Sequence, residues 1–152
     1  MIKRFVSVAL AIALVAVVAA ASVSALTRKP LGYSYGKCTT QANCSLQVGT
    51  NVSQNKASFS SAKLCVTGRN ALSALGYVSV RHGHFSVNKT VQADSTDLYT
   101  KIPVQIQLSG TLKVGKRATG TLKITTTAAD CTADSGVARK FSLAYAGPFY
   151  GG

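Results

Sequence analysis

The sequence predicts an all-β fold, an antiparallel β-sandwich of Greek-key or jelly-roll type. Three observations predict it: repeated alternation of apolar and polar residues, a high content of serine, threonine and valine, and glycines between the alternating stretches. Alternation places one side of a strand on a core and the other side in water. Short strands separated by glycine turns favour a sandwich or a barrel over a parallel sheet with crossover helices.

Alternating segments follow one another along most of the chain. The earlier ones cover residues 45–48, 57–60, 76–81 and 84–87. The clearer ones cover residues 102–108, 111–114, 118–124 and 137–145, with a hairpin turn predicted at residues 115–117. Residues 69–75 are the only segment typical of a helix, and Gly76 is expected to end it.

The N-terminus has the pattern of a signal peptide over residues 1–25. Lys3 and Arg4 precede an uncharged apolar run, and Val23 and Ala25 occupy the small-residue positions before a cleavage site. The alternative is an uncleaved membrane anchor, although alanine and serine insert weakly into bilayers. We expect an irregular lead-in over residues 26–36, a β-sandwich domain over residues 37–147 and a flexible tail over residues 148–152.

Four cysteines follow the predicted signal peptide, and an even number in an exported chain favours disulfides over metal binding. Three pairings are possible. Sequence separation suggests a short loop closed by Cys38 and Cys44 and a long one closed by Cys65 and Cys131. The long-range bond is expected to stabilise the fold by roughly 4 kcal/mol, and the short one by about 2 to 2.5 kcal/mol.

The chain is strongly basic, with 17 lysines and arginines against 4 aspartates and a net charge of +13. Removal of residues 1–25 lowers this charge to about +11. A surface of this kind attracts polyanions without a specific pocket, and a high net charge also serves solubility alone. No specific nucleic acid is predicted as a partner, and a membrane is a partner only if the signal remains uncleaved.

Basic side chains concentrate near one predicted hairpin and the terminal strand. These candidates for polyanion binding are Lys113, Lys116, Arg117, Lys123, Arg139 and Lys140. Lys113 and Lys123 are expected to lie near one another across the hairpin. Lysines on an edge hairpin also deter aggregation, which is a structural reason for the same pattern.

Catalytic and metal-binding patterns are thinly supplied. His82 and His84, two residues apart on a predicted strand, would face the same side and hold a metal only with a further ligand such as Asp94 or Asp97. We therefore predict exposed histidines, no metal and no cofactor. No Gly-x-Ser-x-Gly motif is present, and paired carboxylates for hydrolysis are scarce. We expect a protein that is not an enzyme.

An ordered set of landmarks spans residues 35–146. They are Tyr35-Gly36, Thr39, Gln41, Cys65, Gly83-His84-Phe85-Ser86, Gly110, Ala118-Thr119-Gly120-Thr121-Leu122, Cys131, Gly136 and Phe141. This set resembles a functionally uncharacterised family of small secreted bacterial β-sandwich domains frequent in actinobacteria. The chain lacks that family's tryptophan in the terminal strand and adds Cys38 and Cys44. The resemblance implies the fold and export, and no activity.

The sequence therefore predicts a secreted, non-enzymatic binding or surface-associated module attracted to anionic cell-envelope polymers or polysaccharides. One alternative is a secreted inhibitor or effector that presents the Cys38–Cys44 loop to a partner protein. The other is a small hydrolase with an unrecognised site, for which His82 and His84 are the residues to replace.

Overall fold

The computed structural model describes residues 28–36, 46–97 and 99–150. These residues form one α-helix, α1 (Val66–Leu75), a single 3₁₀ turn (Ala129–Cys131) and nine strands. The strands are β1 (Gly32–Tyr35), β2 (Gln47–Asn51), β3 (Lys56–Ser60), β4 (Val78–Arg81), β5 (His84–Asp94), β6 (Lys101–Thr111), β7 (Ala118–Thr126), β8 (Ala138–Leu143) and β9 (Tyr145–Phe149). The prediction of a mostly antiparallel β fold is confirmed.

The nine strands form one nearly closed sheet in the order β8-β7-β6-β5-β4-β3-β2-β1-β9. The edge strands β8 and β9 are consecutive in the chain and separated only by Ala144, yet β8 pairs with β7 and β9 pairs with β1. Neighbours in the sheet largely follow chain order. The strand order is thus that of a meander and differs from the expected Greek-key or jelly-roll order, because most connections are short hairpins.

Two predicted boundaries differ from the structure. The lead-in over residues 26–36 contains β1, and the tail over residues 148–152 contains the end of β9. Both strands are short and rich in glycine or proline, so their alternation is weak in the sequence. Pro148 is accommodated because β9 is an edge strand. The predicted signal peptide, Cys38 and Cys44 lie outside the described residues.

The core lies on one face of the long strands β5, β6 and β7 and is covered by α1. The predicted face of residues 102–108 is confirmed, since Val104, Ile106 and Leu108 are buried and Ile102 is half-buried. Leu72 of α1 is buried in the same cluster. Burial on one side of each strand leaves the other side to polar residues, which is the surface available for function.

The helix begins earlier than predicted. The Cys65 side chain accepts a hydrogen bond from the Gly68 amide at the start of α1, and Gly76 ends the helix with φ of 68°. At ten residues, α1 is too short to cross a membrane, and the described parts of the chain contain no other helix with the length and hydrophobicity to do so.

The long-range disulfide is confirmed. Cys65 and Cys131 are bonded, with their Cα atoms 5.1 Å apart and a sequence separation of 66. The bond fixes the start of α1 to the 3₁₀ turn after β7. It therefore holds the helix against the core face of the sheet.

A row of four residues crosses β5, β6, β7 and β8 on the core side. Phe85 pairs with Gly110, Gly110 with Gly120, and Gly120 with Phe141. The two rings lie over the two glycines and stack on each other, with centroids 6.5 Å apart and planes 10° from parallel. Aromatic cover of strand glycines is a known way to complete a sheet surface. These four residues are all landmarks of the resemblance described above.

Candidate functional site

The outer face of β5 to β8 is polar and carries no carboxylate in its central part. Strand register brings hydroxyl and amide side chains side by side across this face. They are Ser86, Asn88, Thr90, Gln105, Gln107, Ser109, Thr121 and Thr125. Such a surface offers donors and acceptors to a hydrated polymer.

Three cations lie on the same outer face near its β8 edge. Lys140 is opposite Thr121 and Lys123 is opposite Ala138, so the two lysines are diagonal neighbours on adjacent strands, within reach of long side chains. The Arg117 guanidinium reaches the next position along β8 and donates to the Ser142 hydroxyl (2.8 Å) and carbonyl (2.9 Å). We call Arg117, Lys123 and Lys140 the basic row.

The remaining candidates lie elsewhere. Lys113 and Lys116 form the ends of the β6–β7 turn, where the Lys116 amide donates to the Lys113 carbonyl at 3.0 Å. This turn precedes the predicted one because Gly115, with φ of 71°, supplies the left-handed conformation inside it. The expected proximity of Lys113 and Lys123 is wrong, since Lys123 pairs with Gln107, far along the ladder.

Arg139 is separated from Lys140 by strand geometry. Adjacent residues of a strand face opposite sides, and Arg139 is opposite the buried Leu122 while Lys140 is opposite Thr121. The Arg139 guanidinium forms an ion pair with Asp134. It therefore belongs to a structural contact and not to the basic row.

All four acids take part in structural contacts away from the basic row. Asp94 pairs with Lys101 at 2.5 Å beside the β5–β6 turn. Asp97 accepts from the amides of Tyr99 and Thr100, both at 3.0 Å, within that turn. Hydrogen bonds, first among them that of the Ser95 hydroxyl, hold the pKa of Asp97 well below its ordinary range. These two carboxylates are therefore occupied by the turn.

The other two acids hold the start of α1. Asp130 accepts from the Thr67 amide (2.9 Å) and hydroxyl (2.8 Å), and Asp134 accepts from the Cys65 amide (2.8 Å). Burial raises the pKa of Asp130, but the hydrogen bonds from Thr67 outweigh it and leave the pKa below its ordinary value. Negative charge at a helix N-terminus is also favourable. Ion pairs to basic side chains, within the described ranges, involve only Lys101 and Arg139.

The predicted histidine pair has a different geometry. His82 and Gly83 form the two-residue loop of the β4–β5 hairpin, with φ of 50° and 77°, so His82 is not in a strand. Asp94 lies at the other end of β5, about 30 Å from His84. Neither Asp94 nor its neighbour Asp97 can share a metal with these histidines.

A second group has metal-binding atoms close together. Sulfur and oxygen atoms of Cys65, Asp130 and Cys131 lie within 4.8 Å of one another. Both sulfurs are joined in the disulfide, and thiolate is the form that binds metals. These atoms lie close together because the disulfide and the hydrogen bonds from Thr67 to Asp130 both hold the start of α1. The proposed Cys38–Cys44 loop lies outside the described residues.

Comparison of the chain with protein-family models, with curated proteins and with solved structures finds no match.

Ser142 is a partner of the basic row that was not predicted from the sequence. Its signal is present in the alternation of residues 137–145, which places Ser142 and Lys140 on one side of a strand. Whether Ser142 meets Arg117 depends on which strand lies beside β8, and no local sequence pattern contains that information.

Proposed function

We propose that the protein is a secreted, non-enzymatic binding module that attaches to an anionic cell-envelope polymer or polysaccharide through the basic row. The observation that carries this proposal is the separation of charge. Arg117, Lys123 and Lys140 lie together on an outer face without carboxylate partners among the described residues. The four acids are occupied at the β5–β6 turn and at the start of α1.

The mechanism is multivalent charge attraction on an extended polar surface. An exposed cation gains little from one anion in water, so several must act together on one polymer chain. The neighbouring hydroxyl and amide groups of β5, β6 and β7 supply hydrogen bonds once the polymer lies on the face. Because bound counterions are released, binding should weaken steeply as salt rises.

A salt titration with matched variants tests the proposal. We expect the triple variant Arg117→Gln, Lys123→Gln, Lys140→Gln to lose retention on isolated cell-wall material, and on immobilised polyphosphate, at lower salt than the unchanged protein. The control, Lys29→Gln, Lys63→Gln, Arg69→Gln, removes the same charge elsewhere and should retain most binding. Equal loss in both variants, or retention independent of salt, would reject the basic row.

We further infer that the sheet folds into two layers, as in a sandwich, and that the chain is exported. The first half of β4, Val78 and Ser79, pairs with β3, whereas its second half, Val80 and Arg81, pairs with β5. This change of partner favours a corner of the sheet at β4. The Cys65–Cys131 disulfide is compatible with an extracellular protein. Mass spectrometry of the native protein should give a chain starting at Leu26 with two disulfides, and a full-length chain with free thiols would reject export.

A further inference from the structure

A second surface, on the outer side of β1, β2, β3, β4 and β9, contains a groove with aromatic walls. Phe149 and Leu31 line one side and Tyr77 lines the other, around a cavity of about 310 Å³. These side chains are unusually exposed for their type, at 42%, 58% and 71%. Exposed apolar residues that cluster in one place mark interaction sites more often than scattered ones do.

The floor of this groove is made of small residues. Gly49 pairs with Ser58 between the walls, and both line the cavity. Phe149 pairs with Gly32, and its ring lies so close that a Cβ at Gly32 would be 2.6 Å from the ring. The glycine thus lets the ring pack directly against β1, which positions this wall of the groove before any ligand arrives.

The groove continues into a more polar half. A second cavity of about 410 Å³ shares Gly49 and Ser58 with the first and reaches the end of α1. Its lining is more polar than that of the first cavity, with hydroxyl and amide groups from Ser34, Gln47, Ser60 and Ser73 beside the apolar side chains of Val48, Phe59 and Leu72. One end of the groove therefore offers ring faces and the other offers hydrogen bonds, a combination suited to a ligand with both apolar ring faces and many hydroxyls.

The groove also contains a positive charge. The Lys56 side chain lines the aromatic half and forms no ion pair among the described residues. The four acids are committed to the β5–β6 turn and to α1, so none of them neutralises this groove. An anionic group on the ligand would be complementary to Lys56.

We infer that this groove binds acidic sugar units of a glycan chain. The sugar rings stack on Tyr77 and Phe149, their hydroxyls bond to the Ser58, Ser34 and Gln47 side chains, and their carboxylate pairs with Lys56. A fatty acyl chain would leave the Lys56 ammonium and the Gln47 amide without partners, and a simple polyanion would leave the rings uncovered. The inference does not depend on the basic row, which lies on another face.

Calorimetric titration with three probes tests the groove. The probes are a short oligogalacturonate, a neutral cello-oligosaccharide of equal length, and polyphosphate. We expect Tyr77→Ala to weaken oligogalacturonate binding by about tenfold or more, as loss of an aromatic anchor does. The matched control is Tyr99→Ala, because Tyr99 is 94% exposed and lies outside the groove.

The charge contribution has its own variant. Lys56→Gln should weaken oligogalacturonate binding while leaving cello-oligosaccharide binding unchanged. Equal affinities for Tyr77→Ala and Tyr99→Ala, or no binding of oligogalacturonate by the unchanged protein, would overturn the groove. Polyphosphate binding should respond to the basic-row triple variant and not to Tyr77→Ala, so a failure of the groove is distinguishable from a failure of the proposed function.

Discussion

Substitution of Gly110 by alanine tests whether the Phe85, Gly110, Gly120 and Phe141 row holds β5 to β8 together. A Cβ at Gly110 would lie 2.1 Å from the Thr119 carbonyl oxygen and 2.7 Å from Cζ of Phe85. Ordinary contacts to these atoms begin beyond about 3.3 Å. The carbonyl belongs to the paired strand β7, so a rotation of the Phe85 ring cannot relieve the overlap.

The expected cost follows from these distances. Overpacking of a tight site typically costs about 1–3 kcal/mol, and alanine recovers less than about 1 kcal/mol through the unfolded chain. Because two of the three overlaps, those with the Thr119 carbonyl oxygen and with Cα of Gly120, are with backbone, we expect Gly110→Ala to lower the free energy of unfolding by about 2–3 kcal/mol. This corresponds to a fall in melting temperature of roughly 10 °C.

The assay is urea unfolding of the oxidised protein, followed by far-ultraviolet circular dichroism and tyrosine fluorescence, since the chain has no tryptophan. Gly49→Ala is the matched control. Gly49 is also a strand glycine, but the nearest atom to its added Cβ is a side-chain atom, the Ser58 hydroxyl oxygen, at 3.3 Å. Equal stability of the two variants would refute the role assigned to the row.

Three further predictions concern the acids, the core tyrosine and the disulfide. Asp130→Ala should lower the free energy of unfolding by about 2 kcal/mol, because the buried Thr67 loses both of its hydrogen bonds to this carboxylate. The pKa of Asp130 is lowered in the folded protein, so the stabilisation is present above about pH 4 and is lost as the pH falls and the carboxylate is protonated. The urea midpoints of the variant and the unchanged protein should therefore converge at acidic pH. Burial raises the pKa of Tyr35 from 10.0 to about 12, so stability should fall between these pH values in the unchanged protein and less in Tyr35→Phe. Serine at both Cys65 and Cys131 should cost about 4 kcal/mol in the same urea assay.

Each of these three predictions has a control that tests whether the assigned interaction causes the change in stability. Tyr99→Phe replaces an exposed tyrosine and should not alter the alkaline profile. Reduction of the unchanged protein should destabilise it at least as much as the double serine variant, because reduction also opens the predicted Cys38–Cys44 bond. A constant gap between Asp130→Ala and the unchanged protein at every acidic pH would contradict the assigned ionisation.

Strands with strong alternation were predictable from the sequence. Residues 102–108 bury one side as expected, because a period of two is a local property and burial follows from it directly. β1 and β9 were missed, since Gly32, Gly147 and Pro148 interrupt the pattern. They form strands because they pair with each other and because β1 also pairs with β2, which is a long-range effect.

The structure brings together only some of the predicted polyanion-binding candidates, for a related reason. Lys123 and Lys140 lie together, but Lys113 and Arg139 do not join them. Clustering in sequence does not specify which residues of two strands meet. The exact position of the β6–β7 turn and the alternation of β8 decide this, and a shift of one residue reverses the face.

The groove shows why a sequence conceals a site of this kind. Leu31, Tyr77 and Phe149 are far apart in the chain, and each has an ordinary explanation by itself as a loop residue, a strand end or a tail residue. Only the meeting of β9 with β1, and of β4 with β3, places them around the same floor. The glycines and serines of that floor signal weak strands in the sequence, whereas in the fold they create the space between the rings. The residues that most weaken the sequence pattern are therefore those that shape the groove.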